Sequence, residues 1–112
     1  MSDCLFCRIV AGEVPATVVR ESERTLAFRD IAPQAPTHVL VVPKDHYPDV
    51  AALAEQPALL AELVREAHKL AVEEELGDRG YRLVFNTGAD AGQTVFHAHG
   101  HLLGGHELGR LA

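Results

Sequence analysis

His97-Ala98-His99-Gly100-His101-Leu102-Leu103 is the stretch on which the reading of this chain turns. Side chains on a β-strand point to opposite faces in alternation. The spacing therefore predicts a strand with three imidazoles on one face and Ala98 and Gly100 on the other. Neighbouring imidazoles then stand about 7 Å apart along the strand. Groups that titrate near neutral pH and lie so close oppose one another's protonation. Neutral imidazole is both a nucleophile and a metal ligand, so a nucleophilic site, a catalytic metal site and a structural histidine cluster all fit the pattern. A catalytic metal site ordinarily adds a carboxylate and an open position for water. No Asp or Glu falls between Ala91 and His106.

The predicted strand spans Val95–Leu103 and follows a Gly-rich loop at Thr87–Gln93, itself preceded by a strand at Arg82–Asn86. Upstream, the longest periodic segment predicts a helix from about Pro57 to Leu76. Leu59, Leu60, Leu63, Val64, Ala67, Leu70 and Ala71 fall on one face, and Glu62, Arg65, Glu66, Lys69 and Glu73 on the other. Pro57 suits the first helical position, and Gly77 suits the residue just past the end. Thr37–Val42 reads as a buried strand stopped by Pro43, after a loop at Pro33-Gln34-Ala35-Pro36. Thr17–Glu21 and Thr25–Phe28 read as two more strands joined by the charged Glu21-Ser22-Glu23-Arg24. Residues 4–11 suit one or two helical turns before Gly12 and Pro15. Many strands and one long helix predict an antiparallel sheet packed by a helix, an α+β arrangement.

A length of 112 residues suits one domain, residues 1–112, with a modest core that a metal or a partner subunit would help support. The net charge of −6 argues against nucleic-acid binding through a basic surface. It leaves room for a small phosphate ligand held by backbone N–H groups and imidazoles. No apolar run approaches membrane-spanning length or reads as a signal peptide, so a cytoplasmic location is expected. In a reducing compartment Cys4 and Cys7, in Cys-x-x-Cys spacing, suggest a metal or redox role more than a structural disulfide.

The histidine run resembles the histidine-triad (HIT) signature, His-φ-His-φ-His-φ-φ with φ apolar. The resemblance to the histidine-triad nucleotide-binding (Hint) branch extends over nearly the whole chain. It takes in Phe6-Cys7-Arg8-Ile9-Val10, Leu26-Ala27-Phe28-Arg29-Asp30-Ile31 and Pro33-Gln34-Ala35-Pro36-Thr37-His38. It continues through Gly92-Gln93-Thr94-Val95-Phe96-His97 and Leu102-Leu103-Gly104-Gly105. Resemblance implies a HIT-like fold: about five antiparallel strands, one long helix, a short N-terminal helix, and a homodimer whose sheets join. The helix face with Leu63, Ala67 and Leu70 would then serve both core and dimer contact.

The resemblance further implies purine nucleotide binding and hydrolysis at the α-phosphorus of a nucleoside phosphoramidate or adenylate. His99 matches the nucleophile that forms a nucleotidyl-histidine intermediate, splitting one displacement into two easier ones. Such a histidine needs one ring nitrogen free and the other donating a hydrogen bond. His101 matches a phosphate contact and His38 a fourth histidine beside the triad. Asp30 matches the ribose carboxylate and Asn86 a ribose or phosphate contact. Gln93 and Thr94 would donate to phosphate or leaving-group oxygens, helped by N–H groups near Gly92. Phe6, Phe28 and Ile31 would sandwich the base, although Phe6 and Phe28 read equally well as core. In zinc-binding members, the positions matching Cys4, Cys7, His46 and His97 hold a closed, structural Zn2+. His97 would then be a ligand and not an acid–base group. Gly100 stands where a bulkier apolar residue is usual, and Thr94 where Ser is common. A dinucleoside polyphosphate or sugar-nucleotide substrate, or a nucleotide-binding scaffold with little turnover, are the rival readings.

Overall fold

A computed structural model describes residues 3–110. The element order is α1 (Leu5–Val10), β1 (Val18–Glu21), β2 (Thr25–Arg29), β3 (Thr37–Pro43), α2 (Val50–Leu53), α3 (Pro57–Glu73), β4 (Arg82–Val84) and β5 (Gly100–Gly104), with a 3-10 turn at Ala89–Ala91 before β5. The five strands form one antiparallel sheet in the order β1-β2-β3-β5-β4. This is the expected α+β arrangement of a five-stranded antiparallel sheet, one long helix and a short N-terminal helix, with α2 as a further short helix that the periodicity did not reveal. Among the described residues no helix is long and apolar enough to cross a membrane.

β3 is buried along all seven residues because both faces of the sheet are covered. Val39 and Val41 face one way and pack with Ala27, Ala98 and Leu102 against Leu59, Leu63, Ala67, Leu70 and Ala71 of α3. Leu40 and Val42 face the other way and pack with Leu26, Phe28 and Phe6 of α1. The period of two thus sorts the sheet into a helix side and a second side roofed by α1.

Several boundaries differ from expectation, each for a physical reason. Strand β5 begins at Gly100, not Val95. Its partner β3 ends at Pro43, which has no N–H, and the Ala98 N–H goes to the Tyr47 carbonyl at 2.6 Å. The side-chain alternation nevertheless persists: Ala98 and Leu102 lie in the α3 core, while His97 and His99 both stack edge-on to Phe6 on the other side. β4 is correspondingly short, ending at Val84, which pairs with His101.

Helix α3 stops at Glu73. The Leu76 N–H bonds the Ala71 carbonyl and the Glu75 N–H the Val72 carbonyl, a Schellman ending with Glu75 left-handed at φ 63°. Leu76 has to turn back into the core, where it is 4% exposed, so Glu75 and not Gly77 takes the left-handed position. Leu63, Ala67 and Leu70 are 0–2% exposed. They are core, and the expected dimer contact through them is not available; Val64, expected on the same face, is exposed. Glu66, expected on the polar face, is buried and paired with Arg20 at 2.9 Å and Lys69 at 3.3 Å. Arg20 also meets Glu73, and Arg24 meets Glu62, so the β1–β2 hairpin is clamped to α3 by charge pairs.

Candidate active site

The second face of the sheet, under α1, gathers the histidines. His38 from β3 and His101 from β5 sit on diagonal positions of the paired strands, with ring centroids 5.3 Å apart. His99 lies next to His101, centroids 4.9 Å apart. Their hydrogen-bond partners decide which nitrogen of each ring carries the proton, because a carbonyl can only accept and a backbone N–H can only donate.

His97 Nε2 lies 2.8 Å from the Pro43 carbonyl and must donate, leaving Nδ1 as a lone pair. His99 Nδ1 lies 2.7 Å from the His97 carbonyl and must donate, leaving Nε2 as a lone pair. The Gln34 N–H donates to His38 Nδ1 at 3.0 Å, so the proton of that ring sits on Nε2. His38 Nε2 then donates to His101 Nδ1 at 3.0 Å, which puts the remaining proton of His101 on Nε2. The result is one ring, His99, with a bare nitrogen beside another, His101, with an N–H donor.

Burial opposes charge on all three histidines of the run. It pushes His97 and His99 below the ordinary histidine value. His101 is pushed down to about 4, first by burial and then by His99 and His38, against a smaller opposing effect of Asp30. His101 is neutral at pH 7 on this account.

A cleft of about 290 Å3 opens on this face. Leu5, Phe6, Ile9, Phe28, Ile31 and Leu40 line its apolar part, and Asp30, Thr94, His99 and His101 its polar end. Phe6 and Phe28 are 4% and 3% exposed and meet edge to face, centroids 5.4 Å apart. No ring fits between them, so they form a floor and not two faces of a sandwich. Ile31, fully exposed, forms the lip. Asp30 Oδ1 accepts from the Ala32 N–H at 2.8 Å, and Oδ2 lies 3.4 Å from His38 Nε2.

Gln93 and Gly92 differ from expectation. The Gln93 amide donates to the Pro48 and Val95 carbonyls at 2.7 and 3.1 Å and accepts from the Gly88 N–H at 2.9 Å. It braces the loop and has no N–H left for phosphate. The Gly92 and Gln93 N–H groups are likewise taken, by Ala89 and Gly88 carbonyls. Thr94 remains exposed in the cleft. Asn86 is half-buried after β4 and does not line the cleft. The apolar wall from Leu5 and Ile9 was not foreseen, although their i, i+4 spacing places them on one helix face beside Phe6. The Pro43 carbonyl and Gln34 N–H leave no trace in a sequence.

A second cluster lies behind the triad. One ligand atom each from Cys4, Cys7, His46 and His97 lies within 4.8 Å of every other, close enough to hold one metal ion. The lone-pair nitrogen of His97 is 3.4 Å from both sulfurs, and His46 Nδ1 is 3.5 Å from Cys7 Sγ. Asp30, His38 and His101 are also close. There the Gln34 N–H keeps the His38 proton on the nitrogen that would have to ligate, which disfavours a metal.

Residues 11–108 match the family described as HIT domain. The chain is 42% identical over 108 residues to the purine nucleoside phosphoramidase of Escherichia coli, covering 96% of this chain and 91% of that protein. A HIT family hydrolase from Legionella pneumophila superposes with a TM-score of 0.90 at 52% identity, covering 94% of this chain and 95% of that one. A histidine triad protein from Clostridium difficile superposes with a TM-score of 0.94 at 39% identity, covering 100% and 98%.

Proposed function

This chain belongs to the HIT domain family, and on that footing we propose that it is a purine-nucleotide hydrolase acting at the α-phosphorus through a nucleotidyl-His99 intermediate. The observation that carries the reading is the division of protons between neighbouring rings: a bare Nε2 on His99 beside an N–H donor on His101. His99 is held in its nucleophilic tautomer by the His97 carbonyl. His101 is held as a donor by His38, and its N–H suits a phosphate oxygen that gains charge as phosphorus is attacked.

The base lies over the floor of Phe6 and Phe28 with Ile31 at its edge, and the ribose lies toward Asp30. His99 Nε2 attacks phosphorus, the P–N bond breaks, and the departing nitrogen takes a proton from solvent at the exposed Thr94 side of the cleft. Water then attacks the phosphorus, gives one proton back to solvent, and releases the nucleotide and the neutral imidazole. The wall of Leu5, Phe6, Ile9, Phe28 and Leu40 suits selection of a purine by contact area.

The second cluster fits Zn2+. In a tetrahedral zinc site with ordinary bond lengths, sulfur and nitrogen ligands stand about 3.5 Å apart. Three of the four sulfur–nitrogen separations here are 3.4, 3.4 and 3.5 Å, and all four ligand atoms lie within 4.8 Å of one another. Two thiolates balance the ion's charge, and four protein ligands leave no open position, so the role is structural. Bound zinc would cross-link Cys4 and Cys7 around α1, His46 after β3 and His97 before β5. We further propose a homodimer joined through β4. That strand forms one edge of the sheet without a bulge, whereas the opposite edge, β1, is interrupted between Val18 and Arg20.

Turnover of an adenosine phosphoramidate tests the reading. The wild-type chain should release amine and AMP at least about a thousandfold faster than His99→Ala, as expected when a nucleophile is removed. Equal rates would reject His99 as the nucleophile, and equal rates at the uncatalysed background would leave nucleotide binding without turnover.

A further inference from the structure

The metal cluster and the nucleophile share a single peptide group. The His97 side chain, 0% exposed, belongs to the cluster, while the His97 carbonyl accepts the His99 Nδ1–H at 2.7 Å. The other half of that peptide is the Ala98 N–H, held at 2.6 Å by the carbonyl of Tyr47, the residue after ligand His46. The peptide plane that fixes the tautomer of His99 is thus gripped by two segments, each carrying a ligand.

A second link runs through α1. Phe6 sits between Cys4 and Cys7, and its ring meets His97 edge-on at 6.0 Å and His99 at 5.0 Å, 89° between planes. The same ring is half of the cleft floor, packed on Phe28. α1 is only six residues long, and Cys4 at its N-cap and Cys7 within it both join the cluster. Phe6, with Ile9 and Val10, packs it on the sheet, and whatever joins those sulfurs to His46 and His97 is its second anchor.

We propose that the Cys4–Cys7–His46–His97 centre positions the nucleophile and the nucleotide floor, with His97 and Phe6 as positioning residues that transmit metal occupancy to His99. This rests on the reading of His99 as nucleophile and of the cluster as a zinc site. Metal loss releases His97 Nδ1 and the two sulfurs beside α1 together, so that His97 is held by its Nε2–H bond to the Pro43 carbonyl without the second anchor. The 97–98 peptide then rotates more freely, and His99 samples the tautomer that hides its lone pair. The His38–His101 pair, held by the Gln34 N–H and by β3–β5 pairing, lies off this route.

The test uses the full chain labelled with 15N-histidine, stripped with a chelator and titrated with zinc alone. Ring 15N shifts and AMP affinity are followed, with circular dichroism to check folding. With zinc bound, His99 should show a single Nδ1–H tautomer. In the stripped protein its shifts should move toward the average of two tautomers and AMP binding should weaken about tenfold, a loss typical of removing orienting partners of a site. The His38 and His101 signals should stay in place.

A stripped, folded chain with unchanged His99 shifts and AMP affinity within twofold would overturn the proposal alone. A chain that takes up no zinc would overturn the metal reading and the proposal with it, and zinc content reveals that case first. Should the stripped chain unfold, His46→Ala decides, because it removes the exposed ligand and leaves Phe6 and the cleft intact. A folded variant with reduced zinc content, averaged His99 signals and weaker AMP binding supports the coupling, and unchanged His99 signals at reduced zinc content overturn it.

Discussion

Gly100, between the two histidines proposed to work on phosphate, is a position where adding one methyl group should cost stability. A Cβ built there would stand 2.9 Å from Leu83 Cδ1 and 3.1 and 3.2 Å from two ring carbons of Phe85. Ordinary contact begins near 3.4 Å, so Leu83, half-buried and packed against the α3 core, must retreat by about half an ångström. Overpacking of this kind costs about 1–3 kcal/mol. Replacing Gly by Ala in a strand returns about 0.5–1 kcal/mol. Gly100→Ala should therefore destabilise by up to about 2.5 kcal/mol, with about 1 kcal/mol as the central expectation. Each kcal/mol moves Tm by roughly 4–8 °C in a domain of this size. In a Leu83→Ala background the nearest clash is gone, and the same substitution should be neutral or stabilising. Urea denaturation of the four chains at one protein and zinc concentration closes the cycle, with an expected coupling of about 1 kcal/mol. The clash lies on the α3 side of the sheet and the imidazoles on the other, so turnover should change less than stability. Equal effects of Gly100→Ala in both backgrounds would refute the packing argument.

Three other outcomes follow from the same geometry. Glu75→Gly should stabilise by about 1 kcal/mol in urea titration, because Glu75 is held left-handed at φ 63° where Gly bears no steric penalty; Gly77→Ala, at a position of ordinary φ, should gain nothing by this route. Stability should fall with acid through His101. Its folded pKa of about 4 lies below the ordinary 6.5, so the unfolded chain binds the proton first and stability is lost as pH drops from 6.5 toward 4. The ceiling is about 3 kcal/mol, and solvent reaching the half-buried ring reduces this to about 1–2 kcal/mol; a His101→Gln chain should show a correspondingly flatter profile. His38→Phe should lower kcat more than it raises KM for a phosphoramidate, since it removes the donor that keeps the proton on His101 Nε2; the opposite split would assign His38 to binding instead.

Periodicity carried the parts of the fold that depend on one segment at a time. Thr37–Pro43 is buried throughout, and Leu59, Leu63, Ala67, Leu70 and Ala71 form the core face of α3, because apolar spacing is a local property. The end of α3 was misjudged because burial of Leu76, a tertiary demand, outweighed the preference for Gly at a left-handed position. The start of β5 depended on Pro43 in another strand. In the site, residue types were readable and proton positions were not. That His99 has a bare Nε2 and His101 an N–H follows from the His97 carbonyl and the Gln34 N–H, which are backbone groups with no sequence signature. Gln93 was misplaced for the same reason: its amide is taken up by carbonyls of Pro48 and Val95.

The central claim is that the three alternating histidines have different work and that His99 is the one that bonds to phosphorus. Rapid mixing with an adenosine phosphoramidate, acid-free quenching within one turnover and peptide mass spectrometry read this directly. The account predicts a transient adenylyl group on His99, absent from the His99→Ala chain and lost at the rate of AMP release. Turnover with no adduct, or with the adduct on His101 or His97, would contradict it.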